Sequence, residues 1–200
     1  MRRSLPKIIG ITGKKFHGKD TLADILIKKY GYRKLSFAAP LKEACRVIFG
    51  LTDSQLYGIE KETVDDFWKT TPRHILQFVG TDLFRQQIGQ IVPHVGANIW
   101  VESVIQAIRK NPNGKYVISD VRFPNEVEAL RQFESSAIWK VIRNVPPADD
   151  NLTDHASENQ IDSLSVDLVI ENYGTIDDLK SKVEILNLPI RKQDSPPLYF

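Results

Sequence analysis

The chain has 200 residues, 42% of them hydrophobic, and carries 27 basic against 25 acidic side chains, a net charge of +2. That suffices for one compact core, and the near balance argues against a polybasic nucleic-acid binder. A single cysteine, no metal-ligand spacing between Cys45 and the histidines (His17, His74, His94, His155), no signal peptide and no long apolar run predict a soluble single-domain protein. Such a protein belongs in a reducing, cytoplasmic compartment, with no disulfide framework and no membrane partner.

In chain order, KIIGITG (residues 7–13) is a short apolar run ending in glycine, the pattern of a buried strand. Leu22, Ile25 and Leu26 recur at helical spacing until Gly31 stops them. KLSF reads as a second strand, and Pro40 opens a helix that Gly50 closes. Residues 53–69 read as a short helix plus loop. Thr71 and Pro72 are a cap and first helical residue of a long helix towards Gly89, with Gly80 as a break. A helix over 97–110 ends in the turn NPNG, and YVISD (116–120) is a strand ending in an acid. Pro124 opens the next helix, AIWKVIR (137–143) is a strand, and the polar stretch around 146–159 reads as a lid segment. DLVIEN and TIDDLKSKVEIL supply a last strand and helix, and residues 189–200, with three prolines, read as an extended tail. Strands alternating with helices predict a three-layer α/β domain over 1–200, with a mainly parallel sheet flanked by helices.

Between the first strand and its helix lies GKKFHGKDT, residues 13–21. Gly13, Gly18 and Lys19 fit the phosphate-loop frame G-x-x-x-x-G-K-[ST], but Asp20 replaces the hydroxyl residue. The backbone N–H groups of Gly13, Lys14, Lys15, Phe16, His17 and Gly18 would cradle the phosphates of ATP ahead of a helix N-terminus. Lys19 would reach the β- and γ-phosphates, and Lys14 and Lys15 either add positive field or are simply solvated. For Mg²⁺, either the carboxylate of Asp20 or the hydroxyl of Thr21 can supply the hard oxygen. There is no guanine-reading N-K-x-D segment and no D-x-x-G switch segment, which favours phosphoryl transfer to a small acceptor over a GTP switch.

GKKFHGKDTLAD, SFAAPLKEA, TPRHILQFVGTDLFRQQI, NIWVES, ISDVRFPNEVEALR and DHASEN occur in that order. Over nearly the whole chain they resemble the deoxynucleoside monophosphate kinases of large tailed bacteriophages. The GKDT loop and the D-V-R-F-P-N-E segment are the most specific parts. The resemblance implies a P-loop kinase fold and ATP- and Mg²⁺-dependent conversion of a dNMP to a dNDP. It implies nucleotides as partners, a host cytoplasm if the chain is viral, and leaves a homodimer open. Phosphomevalonate kinases of animal type share a similar loop and are the alternative, beside a P-loop protein that binds nucleotide without transferring phosphate.

An acceptor phosphate needs cations around it. Arg73 and Arg85 lie twelve residues apart, roughly 18 Å on an unbroken helix, so one clamp residue is expected unless Gly80 bends the helix. Arg85 is the favoured one. Lys42 joins it through the resemblance. Asp120, at the end of its strand, lies where an α/β fold opens its crevice, with Arg122 close behind. Glu126 sits at the third position of its helix, as a cap or as a partner of Asp120 and Arg122. Trp100 and Trp68 are base-stacking candidates, set against core packing, the commoner fate of aromatics at helical spacing. His155 and Glu158 are candidates for the acceptor pocket of a closed form, or else part of a solvated lid, and Arg143 lies where it can swing onto the phosphates.

Overall fold

A computed structural model describes residues 5–143 and 161–187. Five strands make one sheet in the order β2-β3-β1-β4-β5, and every neighbouring pair is parallel. They are β1 (Ile8–Thr12), β2 (Arg33–Leu35), β3 (Tyr116–Ile118), β4 (Ser136–Ile142) and β5 (Leu168–Glu171). The helices are α1 (Lys19–Tyr30), α2 (Ala39–Phe49), α3 (Asp53–Tyr57), α4 (Pro72–Gln77), α5 (Ile99–Lys110), α6 (Pro124–Arg131) and α7 (Ile176–Leu186).

The period-two alternation of the strands sorts the core into two faces. Ile9, Ile11, Val117 and Trp139 pack against Leu22 and Leu26 of α1 and Leu179 and Val183 of α7. Ile8, Ile118 and Ile138 pack on the other side with Val104, Ile105 and Ile108 of α5 and Leu130 of α6. Helices on both faces of a parallel sheet give the three layers expected from the sequence. A separate cluster, Cys45, Leu51, Leu56, Ile75, Leu76 and Val79, ties α2, α3 and α4 together beyond the sheet.

Adjacent strands β1 and β3 send their chains to opposite faces, β1 into α1 and β3 into α6. Their carboxyl ends therefore open a crevice at the topological switch point, the place where such sheets bind ligands. The phosphate-loop sequence leaves β1 there and Asp120 leaves β3.

The long helix expected from Thr71 is capped as foreseen, Thr71 Oγ1 accepting from His74 N. Gly80 does not break it. After Gln77 the helix widens into a π-helical stretch over Phe78–Arg85. A Cβ at Gly80 would meet Leu41 Cδ2 at 2.7 Å, and the Gly80 carbonyl accepts the Trp100 indole N–H at 3.0 Å. The glycine thus lets α2 approach, and the widened turn hands a carbonyl to a side chain. No helix among the described residues is long and apolar enough to cross a membrane. The lid expected at 146–159, with His155 and Glu158, and the tail at 189–200 lie outside the described residues.

Candidate active site

The loop after β1 needs its glycines for steric reasons. Gly13 has φ 141, and a Cβ there would stand 2.4 Å from the Val141 carbonyl oxygen of β4. Gly18 has φ 98, and a Cβ would stand 2.3 Å from Asn172 Nδ2. Both are contacts no side chain can make. Phe16 takes a left-handed φ of 64 and leaves its ring largely exposed, with Lys15 Nζ 4.9 Å from the ring centroid. His17 Nδ1 lies 3.2 Å from the Val141 carbonyl oxygen, and Asn172 Nδ2 donates to the His17 carbonyl at 3.0 Å. The loop is pinned to β4 and to the end of β5.

Lys19 opens α1, and its ammonium arches back to donate to the Lys14 carbonyl at 2.7 Å. The Lys14 side chain does not add to this charge. It leaves the loop for Asp162, 3.4 Å away, and Asp162 also binds Lys140. Asp20 Oδ1 accepts from Lys34 Nζ at 2.9 Å and from Ser119 Oγ at 3.0 Å. Burial raises the Asp20 carboxyl, but Lys34, Ser119 and Lys19 outweigh it and hold it below the ordinary range. It is an anion poised at the mouth of the crevice. Thr21 follows half-buried, and Arg143 stands exposed just past β4.

Asp120 turns out to be a strut. Its carboxylate accepts from Ser36 Oγ at 2.7 Å and from the backbone N–H groups of Phe37 and Ala38 at 3.1 Å each. These donors precede α2, whose N-terminus has no side-chain cap of its own. With three donors upon it, Asp120 positions α2 and hence Lys42.

Glu126 is 3% exposed, and its Oε2 accepts from the backbone N–H of Arg122 at 2.7 Å and of Phe123 at 3.1 Å. It caps α6 and fixes the loop that carries Arg122, so both expected roles meet in one side chain. Burial pushes its carboxyl up to about 7, with Asp120 adding and the two N–H groups and Arg85 opposing. The neutral acid is thus favoured in the folded chain. Its contribution to stability is complete below the unfolded value near 4.5 and is lost as pH rises through 7, roughly 2–3 kcal/mol between pH 5 and 8. Urea melts of wild type and Glu126→Gln at pH 5 to 8 should therefore converge at low pH and separate at high pH, the variant being the less sensitive. Parallel pH profiles would refute this.

Cations gather beside this loop. Lys42 Nζ sits 3.8 Å over the Tyr57 ring. Burial first, then Lys61 and Arg122, push Lys42 down to about 8, against the pull of Asp120 and Asp20. Lys61 is likewise lowered by burial, Arg73 and Arg122, with Glu62 opposing. Arg85, at the end of the π-helical stretch, stacks 5.4 Å from the centroid of Phe123 and acts on Glu126. Arg73 pairs instead with Glu62 and lies within the field of Lys61. The two arginines thus have different immediate neighbours.

Trp100 does not join them. It is 7% exposed, its N–H bonds to Gly80, and Phe84 lies 5.2 Å from it, so of its two readings the structure shows core packing. Ser36, Lys34, Ser119, Asn172 and Lys61 complete the site without having been singled out in the sequence. Only Ser119, beside Asp120 at a strand's carboxyl end, carried a local signal. Among the described residues no group of three or more His, Cys, Asp or Glu could hold a metal ion.

The sequence matches the family model described as deoxynucleotide monophosphate kinase over residues 51–183. A protein of Acanthamoeba polyphaga mimivirus with a deoxynucleotide monophosphate kinase assignment is 40% identical over 187 residues, 88% of this chain and 93% of that protein. The deoxynucleoside-5'-monophosphate kinase of Escherichia phage T5 is 29% identical, over 88% of this chain and 94% of its own. The deoxynucleotide monophosphate kinase of Enterobacteria phage T4 is 24% identical, over 89% and 97%.

Proposed function

The chain belongs to the deoxynucleotide monophosphate kinase family, and from that premise we propose how its crevice moves a phosphoryl group. The γ-phosphoryl of ATP passes to a phosphate oxygen of a dNMP, giving ADP and dNDP. The phosphomevalonate and non-catalytic alternatives give way to this reading. One observation supports the assignment of the site: Ser119 and Asp120, consecutive at the carboxyl end of β3, bind Asp20 of the phosphate loop and the segment that opens α2, the helix of Lys42, so the two phosphate-binding regions meet at one crevice.

In the reaction the O–P bond between β- and γ-phosphate breaks as a bond from an acceptor oxygen to Pγ forms. The acceptor oxygen is already an anion, so no general base is required. What the protein must supply is alignment and positive charge. The loop's N–H groups and Lys19 hold the donor; Lys42, Arg122 and Arg85 hold the acceptor and meet charge on the moving group. Glu126 fixes Arg122 through its backbone, and Asp120 fixes Lys42 through α2.

The donor set suits Mg²⁺, since the Asp20 carboxylate with the neighbouring hydroxyls of Ser119 and Thr21 offers hard oxygens, and that ion is commonly held by one or two carboxylates plus substrate phosphates. When bound, it neutralises phosphate charge. Lys34 would then have to share Asp20. We place the work of the enzyme in a host cytoplasm, with nucleotides as its partners.

ADP release measured by a coupled assay across the four dNMPs and phosphomevalonate tests the reading. At least one dNMP should be turned over in preference to phosphomevalonate. ADP release indifferent to the acceptor, or confined to phosphomevalonate, would overturn it.

A further inference from the structure

We propose that Lys61 is a ligand of the acceptor's phosphate, one of four cations from four separate segments that enclose a phosphate monoester dianion. The inference rests on the kinase reading above and extends it to a residue in a segment that looked like a charged surface turn.

Lys61 lies in the 3₁₀ turn Ile59–Glu62, between α3 and α4. The turn is sorted backwards. Ile59 is 92% exposed and Glu60 and Glu62 face solvent, whereas Lys61 alone is half-buried. An ammonium turns inward at the expense of hydration, and an isoleucine beside it stays in water only if something else decides the orientation. No acid draws Lys61 in. It has no hydrogen-bond or ion-pair partner among the described residues, and its neighbour Glu62 is turned to Arg73.

What surrounds Lys61 instead is more positive charge. Arg73 of α4 and Arg122 of the loop before α6 act on it, and it acts on Lys42 of α2. The nearby acids are otherwise engaged: Glu62 with Arg73, Asp120 with residues 36–38, and Glu126 with the backbone of residues 122 and 123. Arg73 has Glu62, but Lys42, Lys61 and Arg122 have no ion-pair partner among the described residues, and the depressed basicity of Lys42 and Lys61 comes first from burial and then from the neighbouring cations. Their arrangement is favourable once a doubly charged anion sits among them. Arginine forks and lysine point charges together suit the oxygens of a phosphate monoester.

Lys61→Met and Lys61→Arg, made in the full chain, test this with the dNMP that wild type turns over fastest. In Lys61→Met the KM for the dNMP should rise about tenfold or more, the scale of one charge-assisted hydrogen bond, while the KM for ATP stays within about twofold. Lys61→Arg should recover most of the loss. Without ligand, Lys61→Met should melt no lower than wild type, since it relieves repulsion, yet the rise in Tm on adding the dNMP or inorganic phosphate should shrink. An unchanged KM for the dNMP in a folded variant overturns the inference, as does an equal rise in both KM values. Should Lys61→Met melt well below wild type, Lys61→Gln takes its place with the same outcomes. Failure of wild type to phosphorylate any dNMP is a different result, and overturns the kinase reading itself.

Discussion

Lys19→Ala is expected to lower kcat by at least about 100-fold, the scale for removing one preorganised charge donor from a phosphoryl-transfer site. The fold should survive. Lys19 is the first residue of α1, half-buried, and its ammonium donates to the Lys14 carbonyl. That carbonyl lies in an exposed stretch of loop where water can replace the lost donor, so the change in stability should be small. The loss belongs to the transition state, where charge spreads over the moving group and no other side chain of the loop takes over. The Lys14 ammonium is drawn off to Asp162, and Lys15 lies against an exposed ring. Steady-state kinetics beside a thermal melt decide the matter. A variant with wild-type Tm and near-normal kcat would show that Lys19 does not meet the phosphates.

A second large effect is expected at Gly13. Replacement by alanine places a methyl group 2.4 Å from the Val141 carbonyl oxygen, at a φ of 141 that L-residues avoid. The obstacle is backbone in the adjacent strand, not the end of a flexible side chain, so either β1 and β4 part or the loop changes path. We expect destabilisation by about 3 kcal/mol or more and loss of ATP binding, since strain and displacement act together at one residue. Gly31→Ala is the control. It too has positive φ, but nothing lies within 4 Å of its Cβ, so it should cost about 1 kcal/mol and leave ATP binding intact. Equal effects at the two glycines would mean that the approach of β4 is not what shapes the loop.

Gly13, Gly18 and Lys19 were legible in the sequence because their chemistry is local. The turn, the helix start and the anion cradle are all written within nine residues. The same holds for the strands, whose short apolar runs report burial directly, and for Thr71, which caps its own helix. Asp120 was legible as important but not in its role. Its partners, Ser36, Phe37 and Ala38, are more than 80 residues away, and nothing near Asp120 announces them. Asn172 is the same case, the last residue of DLVIEN, with no sign in its own segment of the bond to His17 that the sheet brings about. Trp100 is fixed in the core for a related reason. Its fate was set by the carbonyl that the widened helix at Gly80 presents, and a π-helical turn has no sequence period to betray it.

The strand order has a consequence for how the molecule assembles. β1 lies at the middle of the sheet, yet its two ladder partners are β3 and β4, so Ile8 meets Tyr116 on one side and Ser136 on the other. Neither ladder can form between near neighbours in the chain. Each closes a loop of more than 100 residues, and that entropy is lost before any strand contact compensates it. During synthesis the first 35 residues therefore emerge with an apolar strand and no partner for it, while α1 alone can find local order. The phosphate loop, at the amino end of the protein, is among the last features to become rigid, because Val141 and Asn172, which shape it, are still to come.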